Sequence, residues 1–135
     1  MHTFVLVLLA LHALPGVFWA GSTLVFARGL APSSSLVFSQ LGAAGVAIAS
    51  GAGLWALFHR GSAQGPADHV LAAGALAAVL AAVLQALVVA PAARRLAGAA
   101  PPDLRRLQAR MTLGQRVAAP LLMVTVVCMV IARYS

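Results

Sequence analysis

Four apolar runs, at about 4–27, 36–58, 70–93 and 113–132, fill most of this chain and leave only short connections between them. Each run is long enough as a helix to cross a hydrocarbon core of about 30 Å. Backbone N–H and C=O groups in lipid must be satisfied within the segment, so runs of this kind become helices. The sequence therefore predicts an all-α membrane protein, a bundle of four transmembrane helices forming a single domain over residues 1–135. Composition agrees: 62% of residues are hydrophobic and 8% are charged. Soluble domains carry roughly 25% charged residues, so this chain cannot clothe a soluble globule.

The first run could pass for a secretory signal, but no basic segment precedes it, and it reads as the first span. Pro15 inside it predicts a kink near Leu11–His12, because proline removes a donor and crowds the preceding turn. Ser33–Ser35 offer a cap for the second helix, and Asp68 a first-turn acid for the third. Gly45, Ala49 and Gly53, and again Gly74, Ala78, Ala82 and Ala86, form small-residue stripes that let helices approach closely. Gln85, deep in the third run, calls for an interhelical hydrogen bond. Asp103 after two prolines starts the fourth helix ahead of its apolar part.

The net charge is +7, with nine arginines and no lysine. In a soluble protein this would point to nucleic acid. Here the arginines cluster at span ends, which points to topology and to anionic headgroups, notably at Arg94, Arg95, Arg105 and Arg106. Arg28 and the six arginines from Arg94 to Arg116 lie in the first and third connections, against Arg60 and Arg133 on the other side. The positive-inside rule then places both ends outside, N-out and C-out. Arginine without lysine in an Ala/Gly-rich chain also points to a GC-rich bacterium, hence to the bacterial inner membrane.

In this orientation all four histidines fall in the outer half. His2, His59 and His69 stand at span ends. His12 lies about 12 Å inside the first span at 1.5 Å per residue. His12, Gly16 and Trp19 share one helical face. Cys128 is the lone cysteine and excludes an internal disulfide. Imidazole, thiolate and thioether suit Cu(I), which makes His12, His2, His59, His69 and Cys128 the candidate metal ligands. A His12–Met123 axial pair, with Trp19 nearby, is the candidate haem b site. An ionisable group inside a span is a functional candidate by default. The other reading of His12 is a neutral ring donating to a carbonyl freed near Pro15. No interior acid or catalytic motif points to an enzyme.

The opening His12-x6-Trp19-x-Gly21, followed by Leu24-Val25-Phe26, resembles the first helix of CopD-like membrane proteins, the copper-resistance D group with its HemJ-type relatives. The second glycine of their H-x6-W-x-G-G pattern is Ser22 here. The C-terminal stretch from Arg110-Met111 to Arg133-Tyr134 is similar to small proteins of this kind. The resemblance implies copper handling or haem binding in a four-helix bundle, with His12 as ligand. The alternative is a non-catalytic accessory subunit of a larger membrane complex, respiratory or photosynthetic in type, in which the small-residue stripes serve association.

Overall fold

The computed structural model describes residues 2–58 and 65–134. Its first helix, α1, runs His2–Ala27 and stays helical through Pro15. It stops at Gly29, whose φ of 101° lies in the left-handed region that glycine enters without penalty. Arg116 Nε donates to the Ala27 carbonyl at 3.0 Å, so an orphan acceptor at the end of α1 is met from the fourth span. Helix α2, Ser34–Phe58, is capped by Ser33, whose Oγ accepts from the Leu36 N–H. Helix α3, Pro66–Leu84, starts on Pro66, and Asp68 Oδ2 accepts from the Gly65 N–H at 2.9 Å.

The third span does not end with α3. A π turn over Gln85–Val89 leads into α4, Ala90–Arg95, and a 3₁₀ turn over Leu96–Gly98. The Ala90 N–H reaches back five residues to the Gln85 carbonyl. Pro91 follows directly, and having no N–H it cannot rebuild the regular ladder at Leu87. Helix α5, Pro101–Tyr134, is the longest and remains helical through Pro120. Among the described residues four helical segments, counting Pro66–Gly98 as one, are long and apolar enough to cross a membrane. The fold is an all-α four-helix bundle.

The exterior is apolar. Leu14 is 73% exposed and Val17 74%, a surface that only lipid tolerates. The interior is built from small residues. Trp19 and Leu122 are surrounded by Ala44, Ala47, Ala78, Ala81 and Ala118. A second cluster, Val37, Val89, Ala92, Ala93 and Met111, closes the basic end. Close approach is tightest at Gly74, where a Cβ would lie 2.8 Å from Cys128 Cβ, and at Gly114, where it would lie 2.7 Å from Val89.

The small-residue stripes divide. Gly74 and Ala78 are buried against neighbours, as close packing requires, but Ala86 is exposed. Gly45 and Ala49 are exposed as well, and only Gly53 meets another helix, at Leu8. Helix α1 packs along α2, and α3 along α5, while α2 and α3 touch sparsely.

Candidate functional site

The half of the bundle toward the basic end is tied by a ring of amides. Gln85 Oε1 accepts from the Trp19 indole N–H at 2.7 Å, and Gln85 Nε2 donates to Thr23 Oγ1 at 3.0 Å and Gln115 Oε1 at 2.8 Å. Gln115 Nε2 donates to Gln40 Oε1 at 2.8 Å. Gln40 Nε2 closes the ring on Thr23 Oγ1 at 2.8 Å and also reaches Ser22 Oγ at 3.0 Å. Thr23 in turn donates to the Trp19 carbonyl. Every span contributes. Gln40, Gln85 and Gln115 are at most 1% exposed, and no buried side-chain N or O among the described residues lacks a partner. A neutral, fully satisfied network avoids the desolvation cost of buried charge and fixes helix register.

Above this ring the bundle opens. A cavity of about 820 Å³ lies between the four spans, walled by Gly16, Ala47, Gly51, Leu71, Leu122 and neighbouring apolar side chains, with Trp19 and His12 on its surface. Its size and apolar lining match small-molecule sites. A second space of about 320 Å³ continues outward. The two share Leu54, Phe58, Leu71 and Met129, and the outer one ends at Arg133.

His12 is held on this surface from two sides. Its Nδ1 lies 2.8 Å from the Ala47 carbonyl of α2. A carbonyl only accepts, so Nδ1 is the donor in this contact. The ring turns its Cε1–Nδ1 edge toward Gly51, where a Cβ would come within 2.8 Å of Cε1 and 3.0 Å of Nδ1. Glycine at 51 is therefore what lets the imidazole reach Ala47. The partner is thus a carbonyl of the second helix, not one freed beside Pro15. Among the described residues Nε2 has no hydrogen-bond partner. Held this way, Nε2 is a fixed acceptor or ligand atom, with ring orientation set from behind as in metal-ligating histidines.

The other expected residues are distributed as follows. Trp19 lines the cavity and is 3% exposed, its indole committed to Gln85. Met123 is 51% exposed and does not line the cavity, whereas Met129 does. Cys128 packs on Gly74 in the α3–α5 contact. His2 and His69 are exposed in the first turns of α1 and α3. His59 lies outside the described residues. No three His, Cys, Asp or Glu among the described residues are grouped closely enough to hold a metal ion. Sequence reasoning singled out Gln85 but missed Gln40, Gln115 and Thr23. The amides at 40 and 115 carried a signal, since each interrupts or borders an apolar run, and Gly51 was legible as a small residue at the depth of His12.

Fold and site together define a multi-pass membrane protein with a polar clamp in one half and an apolar, histidine-bearing cavity in the other. No family model, curated protein or solved structure matches the chain.

Proposed function

We propose that this protein binds a flat, largely apolar ligand in the cavity, with His12 Nε2 as its polar anchor, and that haem b is the candidate. The observation that carries this reading is the hold on His12: its Nδ1 is spent on the Ala47 carbonyl at 2.8 Å while the residue lines the cavity, which leaves Nε2 as the ring nitrogen for a ligand. The CopD-like character of the first span supports it. If haem is bound, His12 would be the residue that holds its iron, and the apolar walls would enclose the ring. A copper ion is served less well, because among the described residues Met129 is the one sulfur donor that lines the cavity with His12, and Cys128 and Met123 do not. The setting we propose is a bacterial cytoplasmic membrane, with the arginines of the basic end on anionic headgroups.

A second reading, an accessory subunit of a larger membrane complex, draws support from α2. Gly42, Gly45, Ala49 and Ala52 are all exposed along it, a seam of the kind that helices use to associate. Absorption spectroscopy and metal analysis of protein purified in mild detergent separate the two. The haem reading expects a Soret band, present or restored by haemin, that His12→Ala abolishes without loss of membrane insertion. A colourless protein that takes up no haemin and co-migrates with a large assembly overturns it in favour of the subunit.

A further inference from the structure

The ligand-binding reading leaves open what the outer end of the cavity is for. The two neighbouring spaces share Leu54, Phe58, Leu71 and Met129 and are lined by very few polar groups. Among the described residues lining either space, Arg133 is the one charged side chain. It stands on α5 one turn beyond Met129, about 6 Å along the axis at 1.5 Å per residue, and Met129 lines both spaces. The cation therefore sits at the rim of the space whose inner part holds His12. Leu9 and Leu54, one turn or less outward from His12 and Gly51, line the outer space with it. A guanidinium presents a planar fork of donors that matches a carboxylate in two-point geometry.

Resting on the ligand-binding reading, we propose that the site selects an anionic amphiphile, with Arg133 holding a carboxylate at the rim while the apolar body fills the cavity beside His12. Arg133 is a specificity-determining residue in this arrangement, and His12 the inner anchor. The shared chemistry is an acid group on a hydrophobic body. The propionates of haem provide it, and so does a long-chain fatty acid. The esters of both keep the body and lose the charge.

The test titrates the full-length protein in neutral detergent with four probes: haemin, haemin dimethyl ester, a fluorescent long-chain fatty acid and its methyl ester. For haem carboxylates, wild type binds haemin about tenfold more tightly than the diester, the loss of one charge-assisted contact. Arg133→Gln removes this preference without moving the Soret maximum, since His12 is untouched, and Arg133→Lys retains most of it. Arg133 is exposed in the last turn of α5, so both variants keep the fold. If wild type ignores haemin but prefers the fatty acid to its ester in an Arg133-dependent way, the rim assignment stands and the haem reading falls. Equal binding of acid and ester by wild type, or a preference that survives Arg133→Gln, overturns the proposal and leaves the haem reading in place. Binding of no probe overturns both.

Discussion

At the scale of single residues, the amide ring is the clearest energetic feature. Gln85 serves three partners at once, the indole of Trp19, the hydroxyl of Thr23 and the amide of Gln115. Replacing it by leucine leaves those groups facing apolar surroundings, where water cannot repair the loss. Single hydrogen bonds between membrane helices are worth about 0.6 kcal/mol on average, but unsatisfied buried groups cost about 1–3 kcal/mol each. Gln85→Leu is expected to destabilise by about 2–4 kcal/mol, read as an earlier unfolding transition in detergent. A transition unchanged from wild type would show the ring to be incidental. Gln85 was legible because a lone amide deep in an apolar run needs a partner. Its partners were not, since Trp19, Thr23 and Gln115 lie 66, 62 and 30 residues away and nothing local in the sequence pairs them with it.

At the scale of elements, the spans were legible and their facing was not. Apolar runs fix where helices lie, whereas which stripe faces inward depends on neighbours. The stripes at Gly45–Gly53 and Gly74–Ala86 read alike, yet Gly74 is buried at a backbone contact while Gly45 faces outward. Substitution distinguishes them. In Gly74→Ala the new methyl meets Cys128 Cβ at 2.8 Å and the Thr125 carbonyl at 3.3 Å, with no flexible end to yield. It is expected to cost about 1–3 kcal/mol through overpacking. Gly45→Ala, with nothing within 4 Å, should be neutral or slightly stabilising through higher helix propensity. Melting curves of the two variants check this, and equal losses would contradict the assigned facing.

At the scale of the whole molecule, charge is arranged along the membrane normal. Arg116 reaches the end of α1, and Arg94 stands 5.7 Å from the centre of the Phe38 ring, so part of the basic end is woven into the helix ends themselves. The arginine distribution leads us to expect the 96–100 connection in the cytoplasm and both chain ends outside. Alkaline phosphatase fused after Ser135 should then be active, and a fluorescent reporter in that connection bright; the reverse pattern refutes the orientation.

The π turn has a further consequence for what a single span can face. It adds one residue to a turn of the third span, so the stretch before Gln85 and the stretch after Val89 keep separate rotational phases. The first carries the cavity wall at Leu71 and Ala78, and the second the packing of Ala92 and Ala93 at the basic end. The extra residue shifts the face that the span presents after Val89 relative to the face before Gln85, so that one continuous helix meets the cavity with one side and the packing of the basic end with another.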